Sequence, residues 1–181
     1  MEATMAADSI AAAWHRAESA LQRRPEMGLH DDAPATARWE QGLRVIASHA
    51  NGTQVQTDMA TELGGTGDRV TPGWLLRAGM ASCTATRIAM AAAAQDIELT
   101  LLEVVTSSRS DLRGLLGMHD SDGTPVPATP RDVRMHVRIG ARGASDDRLR
   151  TLVEESCECS PMARAVHDAV PIGLRIDIAS G

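Results

Sequence analysis

The sequence predicts an α+β fold: a mainly antiparallel sheet with helices packed on one side. Three observations carry this. A long apolar run opens at Pro72 and continues to about Ala94 as one helix. Between Val133 and Ile139, apolar Val133, Met135, Val137 and Ile139 alternate with Arg134, His136 and Arg138, the period of a strand with one wet face. The elements run helix, two strands, long helix, two strands, two helices and one strand.

Taken in order, Asp8 to Arg24 reads as an amphipathic helix. Asp8 or Ser9 can cap it, Ile10, Trp14, Ala17 and Leu21 keep helical spacing, and Pro25 ends it. Pro25 to Ala35, with Gly28, Asp31, Asp32 and Pro34, is a connector, so residues 1–35 form an extension ahead of a domain at 36–181. Arg38 to Ser48 and Gln54 to Thr57 read as a hairpin, with Asn51-Gly52 as the turn signal. Glu62 to Asp68 is a glycine-rich loop; it lacks the lysine of a P-loop and the strand-glycine-helix context of a dinucleotide site. Pro72 suits a helix's first turn. Ile97 to Thr106 reads as a strand, Arg109 to Pro130 as a long irregular connection, and Ser145 as the start of a helix running to about Cys157. Pro161 opens a short helix to about His167, and Val170 to Ile178 reads as a closing strand.

Composition narrows the class. Among 181 residues 43% are hydrophobic, enough for an unaided core, but the aromatics are only Trp14, Trp39 and Trp74. The core is therefore built from Ala, Val, Leu, Ile and Met, which suits closely approaching helices. A net charge of −6 without a basic face excludes a nucleic-acid binder. The N-terminus lacks the basic-then-apolar order of a secretory signal. Arg77 and Arg87 within the Trp74 to Ala94 run make it a buried helix rather than a membrane span. A soluble cytoplasmic protein is expected, with free thiols.

Cys83, Cys157 and Cys159 are the three cysteines. By spacing alone Cys83 is a buried small residue in an alanine-rich helix. Arg87, one turn on, could stabilise its thiolate only by turning back toward the sulfur. Cys157 and Cys159 point to nearly opposite sides of a helix end, so at most one faces Cys83. They read either as unpaired thiols or as partners in a transient disulfide. Zinc would require four ligands at recognisable spacing, so no metal and no cofactor is expected. The six histidines are scattered and read as surface residues.

From about Trp39 to Ile178 the chain resembles the family of osmotically induced protein C (OsmC) and organic hydroperoxide resistance proteins. The marks are Gly64-Gly65-Thr66, Pro72-x-x-Leu75-Leu76 leading to Ala81-Ser82-Cys83-Thr84-Ala85, the strand Leu101 to Thr106, and Ser160-Pro161-Met162 before Val170-Pro171-Ile172. The resemblance implies an intertwined homodimer whose long central helices are wrapped by sheets from both chains. It also implies a cysteine-based peroxidase acting on small organic hydroperoxides. Cys83 would attack, and Cys159 or Cys157 would resolve the sulfenic acid as a disulfide. Two positions depart from the family's pattern. Ser160 stands where the resolving cysteine usually precedes the proline, and Gly73 stands where a glutamate orients an active-site arginine. Arg44 and Arg113 are the candidates for that arginine, with Ser160 a further site residue. The thiol reductant leaves no signature in the chain. The competing expectation is an inactive dimer of the same fold that binds a small apolar ligand or, through its N-terminal helix, a protein partner.

Overall fold

The computed structural model describes residues 2–179, with side chains from Ser9 onward. Helix α1 spans Glu2–Arg23 and starts before Asp8, so neither Asp8 nor Ser9 caps it. Pro25 ends it as expected, opening one 3-10 turn at Pro25–Gly28, and the exposed chain beyond leads to the first sheet.

That sheet has three antiparallel strands in sequential order: β1 (Thr36–Gln41), β2 (Arg44–Ser48) and β3 (Gln54–Thr57). The single strand expected from Arg38 to Ser48 is divided in two. Gly42 takes a φ of 55°, a conformation most side chains resist, and the chain reverses there, with Trp39 Nε1 donating to the Gly42 carbonyl at 2.9 Å. The expected turn forms at Asn51-Gly52, where Gly52 N–H donates to the His49 carbonyl at 3.0 Å.

The segment leading to the long helix is tightly built. Asp58 is 2% exposed and sits at its centre. It accepts from Thr66 Oγ1, from the backbone N–H groups of Met59 (2.7 Å) and Thr66 (3.1 Å), and from Arg44 Nη2 (3.2 Å). The same guanidinium reaches Thr66 and Asp68. A Cβ at Gly65 would collide with the Met59 carbonyl, so the Gly64-Gly65-Thr66 loop is a packing device rather than a phosphate cradle. The Thr66 hydroxyl, ahead of the backbone donors and Arg44, holds the Asp58 carboxyl well below the usual range.

Helix α2 runs Pro72–Ala94, with Pro72 in its first turn and Thr71 accepting from Trp74 N–H at 3.2 Å. At its other end Arg148 donates to the Gln95 carbonyl at 2.9 Å. Strands β4 (Glu98–Arg109) and β5 (Arg131–Arg142) form a separate antiparallel pair, a few residues longer than the alternation alone suggested. A register shift between Leu99 and Leu101 lets both Leu99 and Leu102 face inward. Between these strands the expected irregular connection contains a single short helix, α3 (Leu112–Leu115). Helices α4 (Asp146–Glu158, capped by Ser145) and α5 (Pro161–His167) follow.

The core lies where α2 and α4 cover one face of the β4–β5 pair. Ile88, Ala91, Ala92, Ile97, Leu149 and Leu152 are buried together against Leu99, Leu102, Val104, Val137 and Ile139. Fully burying a side chain such as Ile88 or Leu152 contributes about 1.5–3 kcal/mol. The alanines let α1, α4 and α5 approach α2 closely.

One expected element does not form. Val170 to Ile178 forms no strand and pairs with none of the described residues' strands, and Val170, Ile172, Leu174, Ile176 and Ile178 are all exposed. Their strict alternation would put all five on one face of a strand if the segment paired.

Candidate functional site

Cys83 stands midway along α2 and is half-buried, with a free thiol. Helical spacing puts Leu76, Gly79, Met80, Arg87 and Met90 on its face. Met80 is buried, whereas Leu76 and Met90 are exposed and give the face apolar flanks. Gly79, one turn before the thiol, leaves a notch: a Cβ placed there would meet nothing within 4 Å.

The next residue, Thr84, points into the protein and is fully buried, as is Ser160 in the junction between α4 and α5. Their hydroxyls share a hydrogen bond of 2.9 Å. The two segments singled out by their cysteines therefore do meet, through a threonine and a serine. Cys83 and Cys159 are the chain neighbours of that contact.

The two other thiols differ in setting. Cys159 is exposed at the C-terminal cap of α4. Cys157 is half-buried and lines a groove between α4 and the β4–β5 pair with Leu101, Met135, Val137 and Val153. Burial, then the nearby Glu158 carboxylate, pushes the Cys157 thiol above its ordinary value, so at neutral pH it is the weaker nucleophile that such a shift implies. Ser156 beside it is fully buried, and its hydroxyl has no partner among the described residues.

The two candidate arginines are engaged elsewhere. Arg44, on β2, is bound by Asp58, Thr66 and Asp68 in the segment that leads to α2. Arg113, on α3, is exposed and pairs with Asp111 at 2.7 Å and Asp120 at 3.7 Å. Asp111 is also the leading cause of its raised pKa.

Sequence reasoning passed over two features. Asp58 gave only the weak cue of an acid directly after a strand and before a glycine-rich loop. The second is a contact between α1 and α2: the Arg87 guanidinium lies 4.7 Å from the centre of the Trp14 ring. Both residues were visible, one on an amphipathic helix and one in an apolar helix, but nothing in the sequence pairs them.

A groove of about 420 Å³ runs between α2 and β4 on a different face of the helix. Trp74, Arg77, Ala78, Ala81, Ala85 and Thr106 are among its lining residues, and Cys83 is not. The Thr106 hydroxyl is buried there without a partner among the described residues. No helix among those residues is long and apolar enough to cross a membrane.

Residues 65–175 match the family model described as OsmC-like protein. No curated protein matches the chain. Among solved structures, the chain is similar to an OsmC like protein from Mycoplasma pneumoniae (TM-score 0.63, 16% identity, 77% of this chain and 89% of that one). It is also similar to an organic hydroperoxide resistance protein OsmC from Legionella pneumophila (TM-score 0.55, 20% identity, 76% and 91%). A third likeness is to a putative organic hydroperoxide resistance protein from Vibrio cholerae with captopril bound in one of its active sites (TM-score 0.51, 18% identity, 76% and 87%). At these identities the likeness is one of fold. With more than half its length matched by the family model, the chain belongs to the OsmC-like protein family.

Proposed function

We propose that the protein is a cytoplasmic, homodimeric thiol-dependent peroxidase that reduces small organic hydroperoxides, with Cys83 as the attacking residue. The observation that carries this reading is the half-buried free thiol of Cys83 midway along α2 between apolar flanks, inside the region that matches the family model; the attacking role is what the resemblance of its motif implies. The Cys83 thiolate attacks the terminal peroxide oxygen. An S–O bond forms, the O–O bond breaks, and two electrons pass from sulfur to the departing alkoxide, which takes a proton from water. Condensation with a second thiol then gives a disulfide and releases water, and an external thiol reductant restores the enzyme.

Cys159 or Cys157 supplies the second thiol in this reading. Cys159 is the better disposed: it is exposed, whereas burial suppresses ionisation of Cys157. Since Ser160 is buried and bonded to Thr84, either route requires the α4–α5 junction to shift. The domain is taken as 36–181. The exposed apolar segment at Val170 to Ile178 and the open edges of two small sheets favour dimerisation, the segment of one protomer joining the other's sheet.

The test mixes reduced protein with one equivalent of cumene hydroperoxide, counts free thiols and maps any disulfide by mass spectrometry. The expected result is loss of two thiols per chain, a bond from Cys83 to Cys159 or Cys157, and no turnover in Cys83→Ser. Unchanged thiols would sink the reading. A second reading, an inactive dimer that takes a small apolar ligand, is favoured by the α2–β4 groove with its unpartnered Thr106 hydroxyl. It expects a ligand that co-purifies and is lost in Ala81→Leu.

A further inference from the structure

We infer that Arg87, steadied by Trp14 of α1, is the cation of the Cys83 site, binding the thiolate and the peroxide oxygen during attack. The inference rests on the peroxidase reading and assigns it a residue pair that the family pattern does not supply.

Three observations converge on this pair. Arg87 lies one turn beyond Cys83 on the same face of α2. Residues so spaced have Cβ atoms about 5–6 Å apart. Helical side chains also lean back toward the N-terminus, so a long side chain at 87 covers the turn that contains 83. Its guanidinium is held 4.7 Å from the Trp14 ring centre, which removes much of an arginine's rotamer freedom while leaving its edge nitrogens free to donate. Finally, Arg87 Nη1 is buried and has no hydrogen-bond partner among the described residues. A buried, charged donor left unsatisfied is costly, and such a group calls for an anion.

Neighbouring charges are otherwise engaged. On α1, His15 lies 3.6 Å from Glu18; on α2, Arg77 donates to Ser108 at 3.3 Å. On α4, Arg148 serves the Gln95 carbonyl; on α5, Arg164 pairs with Glu158 and Asp168, which also contacts His167. On β4, Glu98 pairs with Arg142, Glu103 with Arg138, and Arg109 with Asp132. No carboxylate is ion-paired with Arg87 among the described residues. Gly73, which has no side chain with which to orient an arginine, and Arg44 and Arg113, bound to carboxylates of their own, leave this role open.

The consequence extends to α1. The matched family region begins at residue 65, so Trp14 lies outside it. In this chain the N-terminal helix becomes part of the site rather than an appendage.

The experiment uses the full chain with Cys157→Ser and Cys159→Ser, so that Cys83 is its one thiol. The rate of iodoacetamide alkylation is followed against pH, and single-turnover oxidation by cumene hydroperoxide is followed separately. Arg87→Met is expected to move the alkylation midpoint upward and slow oxidation by about 100-fold. Arg87→Lys should recover part of the loss. Trp14→Leu should slow oxidation by about tenfold or less while leaving the cation in place. Circular dichroism and mass in solution establish that each variant keeps its fold and assembly. An alkylation profile unchanged in folded Arg87→Met overturns the inference, as does a variant that changes only the association state, which would make Arg87 a counter-ion for a partner protomer. If the background protein never reacts with peroxide yet Arg87→Met still moves the alkylation midpoint, the peroxidase reading falls together with the peroxide contact, and only the pairing of Arg87 with the Cys83 thiolate stands.

Discussion

The β4–β5 pair and the β1–β3 sheet are both small and antiparallel, yet only the first has one face covered by helices of the same chain. Under α2 and α4 its inward residues meet a buried cluster, and its outward residues pair as Glu103–Arg138 and Glu98–Arg142 across the strands. Among the described residues no helix packs extensively on the β1–β3 sheet; it connects to the segment before α2 through the Arg44–Asp58 cluster, the Thr57–Val70 bridge and the Arg69 side chain donating to Gln56 at 2.9 Å. Trp39 on it is exposed, and so is the whole apolar side of Val170 to Ile178. The contrast teaches that a single chain holds one closed core and two unfinished surfaces. A second copy of the chain is the partner proposed to complete them.

The largest effect expected from breaking that contrast is on assembly. Ile172→Asp with Leu174→Asp places two charges on a face that is wholly exposed in the single chain. If a partner sheet covers it, the protein changes from dimer to monomer by light scattering at micromolar concentration. An unchanged dimer would remove the segment from the interface. Within the closed core, Leu152→Ala is expected to destabilise by about 2–5 kcal/mol in urea unfolding. A smaller effect follows from Thr84→Val, which leaves the buried Ser160 hydroxyl unpartnered at a cost of about 1–3 kcal/mol. Adding Ser160→Ala should restore most of that loss, and failure to do so would mean the pair matters for more than hydrogen bonding.

The mildest expectation concerns pH and the unfinished sheet. The folded carboxyls of Asp58 and Asp68 lie below their ordinary value of 3.8, so the unfolded chain binds more protons in acid. Their contribution is therefore fully present above the ordinary range and falls away as the pH drops below 3.8 toward the folded values. Hydrogen exchange should report earlier acid loosening at Asp58 to Asp68 than at Ile88 to Ala92. Simultaneous loss at both would show that the two regions open as one.

Much of the fold was legible because local signals were strong. Pro72 and the apolar run define α2, Ser145 opens α4, and alternation identifies β5. The strand from Arg38 misled because a single residue pair, Gly42-Leu43, reverses the chain within an otherwise uninterrupted pattern. Val170 to Ile178 carries a strand's alternation, but alternation records only which side is apolar and not whether a pairing edge lies within reach. The place of Cys83 on a long helix was legible from the apolar run around it, while its attacking role is a proposal that rests on the resemblance of its motif. The Trp14–Arg87 stack and the Thr84–Ser160 hydrogen bond join positions 73 and 76 residues apart, where local periodicity carries no information.

Gly79 gives α2 a second property besides its thiol. A glycine inside a helix costs about 1 kcal/mol relative to alanine, and here an added methyl would meet no neighbour. The helix thus forgoes stability at the turn that borders Cys83, and under the proposed chemistry the missing methyl would widen the approach to the sulfur. Gly79→Ala should raise the unfolding midpoint while slowing oxidation by bulky hydroperoxides more than by small ones. That would make one absent carbon atom a gauge of substrate size, adjustable without touching any reacting group.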